Sequence, residues 1–297
     1  MEKVKKKSNI DKYTLLFIAP AFLLFTVFLV IPAASSVYYS FTSWDGINPN
    51  INFIGLDNYR EIFKSVRFRN ALRNTIFLTV FVSLFENAIA LGLALLVDQI
   101  KWFSNFFRSA YYLPVLISGI VSGFIWMTMF NYNFGVINGL LRSIGLGNMT
   151  QDWLGNPAFA LISVGIVLIW RGAGYYMIIY LASLQSVSPE LLEAASIDGA
   201  SAIQKFRRIT LPLISGAFTI SFTLSLINGL RVFDQINVMT DGGPGFATET
   251  IVYLLFNVGF REGRQGFGTA VGMVLFLMII ILNTIQQKFL RSREVEL

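Results

Sequence analysis

The 297-residue chain contains neither Cys nor His, so the side chains left for chemistry are carboxylates, Lys, Arg, Tyr and hydroxyls. That composition excludes thiolate nucleophiles, disulfides, imidazole bases and any zinc site built on Cys or His. There is no G-x-x-x-x-G-K-[ST] stretch, indeed no Gly-Lys pair, so no P-loop can cradle ATP phosphates on this chain. Two charges interrupt long apolar runs: Glu86 is the only one in 74–97 and Arg171 the only one in 158–184. They fall 11 residues past Thr75 and 13 past Ala158, roughly 17 and 20 Å along a helix at ~1.5 Å per residue. A lone ion at such depth in a bilayer costs at least ~2.5 kcal/mol. Glu86 and Arg171 are therefore expected either to pair or to face a water-filled path.

Ser221, Ser225 and Asn228 recur at i, i+4 and i+7, with Thr219 and Thr223 beside them. A stripe of hydroxyls and amides binds a hydroxylated ligand or hydrogen-bonds a neighbouring helix. Trp126, Trp170, Tyr175 and Tyr176 can stack on a ring-shaped ligand, or simply pack and face lipid.

These groups need elements to hold them. With 55% hydrophobic and only 13% charged residues, against about 25% charged in soluble domains, those elements are membrane spans. About 20 apolar residues cross the hydrocarbon core, and six stretches qualify: about 14–40, 75–97, 109–130, 158–184, 211–230 and 266–288. The expected fold is all-α and polytopic: a basic tail at 1–12, a six-span transmembrane domain over 13–290, and a tail at 291–297. The first run is too long for the apolar region of a signal peptide. Pro20 and Pro32 are expected to kink or end that span.

With the N-terminus inside, the inner tails and connections hold 13 Lys and Arg, against 9 in the outer loops. The excess places both termini in the cytoplasm. The net charge of +6 fits basic tails facing anionic lipid, with no nucleic-acid partner. Within the outer segment 41–73, Arg60, Lys64, Arg67, Arg69 and Arg73 recur at spacings that predict an amphipathic surface helix. That helix either meets an external partner or presents a solvated basic face.

A structured connection of about 25 residues between spans is long, and 185–212 has a clear internal logic. Ser188 is a suitable N-cap, Pro189 suits the first helical position, and Glu190 opposes the helix dipole. The helix is expected to end at Gly199 in a left-handed turn. Ser201 then caps a second helix with Ile203, Phe206 and Ile209 along one side, and Pro212 opens the fifth span. The pattern predicts a helix, a glycine turn and a second helix on the cytoplasmic surface, either a plain connector or a face offered to a cytoplasmic partner.

The spacing Glu193-Ala194-Ala195, three residues, Gly199, nine residues, Ile209, one residue, Leu211-Pro212 resembles the EAA signature of ATP-binding-cassette importer permeases. In that family the loop couples the spans to a cytoplasmic ATPase. The resemblance implies an ATPase-coupling set of Glu193, Ala194, Ala195, Asp198, Gly199, Ile209, Leu211 and Pro212. Two further stretches are similar to outer loops of the carbohydrate branch: 53–59 with 70–75, and Met239-Thr240-Asp241-Gly242-Gly243-Pro244-Gly245 with Thr248 and Thr250. The likeness runs from Tyr13 to Phe289.

It implies a permease subunit that is not itself an enzyme and binds no cofactor, ATP being used by a partner ATPase. Its expected partners are a second homologous permease, two ATP-binding subunits, an extracytoplasmic solute-binding protein, a carbohydrate or glycerol-phosphate-like solute, and the lipid bilayer. In that family the fifth span contributes to the translocation path, which implies Ser221, Ser225 and Asn228 along it; Trp170 and Tyr175 join the expected substrate path as aromatic side chains able to stack on a sugar ring. The rival expectation is an ion-coupled secondary transporter using Glu86 and Arg171. A membrane enzyme is a third possibility, disfavoured because no dense catalytic cluster is present.

Overall fold

A computed structural model describes residues 12–100 and 102–291, with side chains from residue 16 onward. Most of the N-terminal tail, Lys101 and 292–297 of the C-terminal tail lie outside the described residues. In chain order the helices are α1 (Leu16–Tyr39), α2 (Asp57–Lys64), α3 (Val66–Gln99), α4 (Ser104–Leu116), α5 (Gly119–Met129) and α6 (Val136–Ser143). They continue as α7 (Pro157–Leu184), α8 (Pro189–Ile197), α9 (Ala202–Leu213), α10 (Ser215–Leu230), α11 (Asp234–Met239), α12 (Ile251–Arg261) and α13 (Gln265–Arg291). Among the described residues the one β feature is an isolated bridge between Thr42 and Phe53.

The fold is that of an all-helical membrane protein, and α1, α3, α7 and α13 are each long and apolar enough to span. The other two expected spans are broken: α4 meets α5 at 97° and α9 meets α10 at 68°. The expected straight span over 109–130 is thus corrected to a bent pair. Pro114 cannot donate to the carbonyl one turn back. Four residues later the Ser118 hydroxyl accepts from the Val121 amide and starts a new helix.

Pro20 and Pro32, expected to kink or end the first span, do not end it: α1 runs on through both to Tyr39. A proline ring clashes with the carbonyl four residues back, and a wider turn relieves that clash. Such a turn precedes Pro32, where the Ile31 amide bonds to Thr26 O. The same device precedes Pro212, where the Leu211 amide bonds to Phe206 O. Pro212 therefore sits inside α9, and the fifth span opens only after the bend at Ile214. The basic segment does not form one surface helix: α2 ends at Lys64, and Arg67, Arg69 and Arg73 belong to the first turns of α3.

The centre of the bundle is α3. Along it α7 runs in parallel, with Gly165 against Leu78 and Phe81, and Ala90, Ala94 and Val97 packed with Tyr176, Met177, Tyr180 and Leu184. Antiparallel to both, α10 brings Gly229 against Thr79. The bundle consequently has two distinct ends. One, the roof end, gathers the start of α3 with residues 231–264; the other, the hairpin end, gathers Gln99, Leu184 and the connection 185–213. The spanning core of α1 buries no residue in this chain.

Candidate functional site

Where α3, α7 and α10 meet, a cavity of about 500 Å³ opens between side chains of all three helices, Val115 of α4 and the segment 231–235. Pockets for small ligands fall in the range of about 300–1,000 Å³. Glu86 forms its deep wall and is 5% exposed. The Ser225 hydroxyl donates to Glu86 Oε2 from across the α3–α10 interface. On the other side the Glu86 carboxyl group lies against the Gly172 backbone, where a Cβ would make it turn aside. Asn228 Nδ2 donates to the Tyr176 hydroxyl at 3.1 Å, and one turn deeper the Tyr180 hydroxyl donates to Asn87 Oδ1 at 2.8 Å.

Arg171 also lines the cavity, but Nε donates to Ile117 O at 3.1 Å and no ion pair joins it to Glu86. Of the two expectations for these charges, the structure matches a shared polar space. The bend between α4 and α5 is what delivers the Ile117 carbonyl to Arg171, since a straight helix would have bonded that carbonyl internally.

Of the residues expected along a substrate path, Ser225, Asn228 and Tyr175 line the cavity. Ser221 is fully buried and lies outside its wall. Trp170 is corrected more strongly: it faces a separate apolar groove between α3, α4 and α7, edge-on to Trp126 at 5.4 Å. Tyr176, set beside Tyr175 as a stacking candidate, lines the cavity as well. Sequence reasoning missed Arg231, Asp234, Gln235 and Gly172. A signal existed for the first two, which are the charges that immediately follow the fifth span. The wall thus presents two carboxylates, two guanidiniums, amides and phenols, a set suited to hydrogen-bonding a polyhydroxylated molecule. Among the described residues no three acidic groups come together as metal ligands.

Further along the chain, residues 246–262 are tied to the start of α3. Glu249 is fully buried and receives Arg67 at 2.7 Å through Nη2 and 2.9 Å through Nε, while Arg67 Nη1 reaches Glu262 at 2.6 Å. Asn74 Nδ2 donates to Phe246 O and Glu249 O, and Thr75 Oγ1 accepts from the Ile251 amide. Nearer the surface, the Arg261 guanidinium, and then the Tyr253 hydroxyl, hold the Asp241 carboxyl below the usual carboxylate range.

At the opposite end, α8 and α9 form the expected helical hairpin. Gly199 adopts φ +77 with nothing within 4 Å of where a Cβ would stand, so the left-handed backbone alone demands glycine. Ser201 and Gln204 make a reciprocal capping box at the start of α9, and Lys205 Nζ ties back to Ser196 Oγ at 2.9 Å. Ser188 stands at the N-cap position of α8 but makes no side-chain cap bond. No residue from Pro189 to Lys205 is buried; Glu193, Ala194, Asp198 and Gly199 are exposed, and Ile197 and Ile203 are 87% and 71% exposed. Ile209, Leu211 and Pro212 lie where the hairpin rejoins the bundle, only Leu211 among them exposed.

Comparison with known proteins gives a consistent result. The family model described as "Binding-protein-dependent transport system inner membrane component" matches residues 86–294. The chain is 36% identical over 282 residues to the probable starch degradation products transport system permease protein AmyD of Thermoanaerobacterium thermosulfurigenes, covering 95% of each chain. It is 33% identical to the diacetylchitobiose uptake system permease protein NgcF of Streptomyces coelicolor, covering 93% of this chain and 82% of that one. Among solved structures it resembles a chain of a bacterial alginate ABC transporter in complex with an alginate pentasaccharide-bound periplasmic protein. That likeness has a TM-score of 0.84 and 25% identity over 98% of each chain.

Proposed function

The chain belongs to the family of binding-protein-dependent transport system inner membrane components, and from that premise we propose that it is the permease subunit of an ATP-driven importer that carries a sugar across the cytoplasmic membrane. The cavity between α3, α7 and α10 is the part of the passage this subunit contributes. Both termini and the hairpin lie in the cytoplasm, and the roof end faces outward, where a solute-binding protein delivers cargo. A second homologous permease completes the passage. Two ATP-binding subunits hydrolyse ATP, and this chain binds no cofactor. The names of the relatives, which concern starch products and diacetylchitobiose, support a carbohydrate cargo.

The observation that carries the proposal is the hairpin itself. It projects from the bundle with Ile197 and Ile203 uncovered, a surface a soluble partner would bury, and it is mechanically joined to the cavity. From the Gly199 turn, α9 runs unbroken to the bend at Ile214, whose side chain is fully buried. Beyond the bend, α10 carries Ser225 and Asn228 to the cavity wall. A push on the capped hairpin therefore moves the residues that line the passage, with the buried Ile214 as pivot. Glu193 and Gly199 belong to the docking surface in this mechanism.

The test is Gly199→Arg. A positive φ strains any side chain, but the open space around the turn leaves the bundle untouched. The expected result is normal membrane insertion with loss of ATPase co-purification. Normal co-purification of the ATPase would refute the docking role.

A further inference from the structure

From the cavity wall, residues 231–235 lead into α11, which packs on α5 at Gly119 and Gly123, and on to residues 246–262, which are fastened to one short stretch of α3. Residues 67–75, the first turns of α3, supply the Arg67 fork to Glu249, the Arg67 contact to Glu262, the two Asn74 bonds and the Thr75 acceptor for Ile251. The Arg67 guanidinium also lies 4.9 Å above the Phe246 ring. Further along the same helix, Glu86 forms the cavity wall. A fully buried carboxylate held by a bidentate guanidinium adds little net stability over an apolar pair, yet it specifies one arrangement, because parting the two strands an ion.

We propose that Arg67 and Asn74 are positioning residues for transport: they latch residues 246–262, whose Thr250 hydroxyl donates to Val232 O at the cavity wall, and cargo entering from the roof end must part that latch. The inference rests on the reading of the cavity as the cargo passage. Nothing in the latch touches cargo. It acts through the roof residues Arg231, Asp234 and Gln235, which line the cavity. Because Arg67 and Glu262 are partly solvent-exposed, with side chains 26% and 42% accessible, the latch can be reached from outside by a docking protein.

The chain has no native cysteine, so Asn228→Cys gives a single reporter inside the cavity. The experiment uses the assembled complex in nanodiscs and the small anionic reagent 2-sulfonatoethyl methanethiosulfonate, with modification of this chain read by intact mass. With the latch intact labelling is slow. Arg67→Ala raises the rate at least about tenfold, the factor that corresponds to losing one charge-assisted hydrogen bond. Asn74→Ala raises it less, and Arg67→Lys, which keeps charge but not the fork, falls between. Ala217→Cys, near the hairpin end, stays at its own rate throughout. If Arg67→Ala fails to assemble, Asn74→Ala and Arg67→Lys decide the matter.

Equal Asn228→Cys labelling with and without the latch overturns the inference while leaving the passage intact. A parallel rise at Ala217→Cys means general loosening and overturns it too. If Asn228→Cys never reacts in any folded variant, while the urea-unfolded chain reacts fully, the passage reading fails and the latch falls with it.

Discussion

Glu86 and Gly172 are in contact across the α3–α7 interface, the carboxylate resting on the bare Cα of the glycine while Ser225 donates to it from the third helix. Three helices thus converge on one buried carboxylate at the cavity wall. One lone pair of the carboxyl group is satisfied by a hydroxyl, and the group lines the cavity.

That contact predicts a specific rescue. Gly172→Ala puts a methyl group where the end of the Glu86 side chain stands, so that carboxyl group must turn away from Ser225, and the unfolding midpoint of the purified complex should fall by no more than the loss of one hydrogen bond, about 0.5–1.5 kcal/mol. Glu86→Ala removes the obstacle, and the double variant should be more stable than Gly172→Ala alone. A double variant no better than the single one would show that the two residues do not collide.

The cavity assignment predicts unequal effects within the polar set. Asn228→Leu should lower uptake of the transported sugar roughly two- to tenfold, the range for one lost neutral hydrogen bond. Trp170→Phe, which changes the apolar groove and not the cavity, should leave uptake near the level of the unaltered protein. Initial uptake rates over a range of sugar concentrations separate the two.

Two ion pairs at the roof end predict opposite outcomes. Glu249 is fully buried, so Glu249→Ala strands the inner face of Arg67 and should be strongly destabilising, by about 3–5 kcal/mol. Asp241 and Arg261 are exposed, with side chains 64% and 47% accessible, and Asp241→Asn should change the unfolding midpoint little. Because the Asp241 carboxyl is held below its ordinary value, its contribution is complete above the unfolded carboxylate range and fades only as pH falls through the lowered folded value. Over pH 6 to 8 that contribution is constant, so Asp241 should add no pH dependence to stability there, which thermal melts of the unaltered chain and Asp241→Asn across that range will check.

The hairpin predicts a surface effect without a folding effect. Ile197→Glu and Ile203→Glu alter side chains that are largely exposed, so stability should stay within about 0.5 kcal/mol. ATPase retention on a tagged permease should nonetheless fall markedly. Retention equal to that of the unaltered chain would argue that these isoleucines are not part of the contact.

Much of this architecture was legible from local signals. The hairpin could be read because its turn needs a residue at positive φ and its caps are adjacent in sequence: Gly199, Ser201 and Gln204 specify it within six residues. Glu86, Ser225, Asn228 and Tyr175 stood out because polar groups in an apolar helix need a partner or water. What sequence could not provide was direction. Trp170 and Tyr175 lie five residues apart on one helix, and only packing against α3 and α4 decides that one faces the groove and the other the cavity. The two bends escaped notice for a related reason. A run of apolar residues has the same composition whether straight or turned through 97°, and Pro114 and Pro212 mark a possible break without fixing its angle. The Arg67–Glu249 pair joins positions 182 residues apart, beyond any local pattern.

The most direct test of the account is the energy source of uptake. The complete complex, with its partner permease, ATPase subunits and solute-binding protein, is reconstituted in proteoliposomes, and sugar accumulation is followed with ATP and without an ion gradient, then with a proton or sodium gradient and without ATP. The account predicts accumulation only with ATP, and its loss in Gly199→Arg. Accumulation sustained by the gradient alone would contradict it and make Glu86 and Arg171 the coupling groups of a secondary transporter.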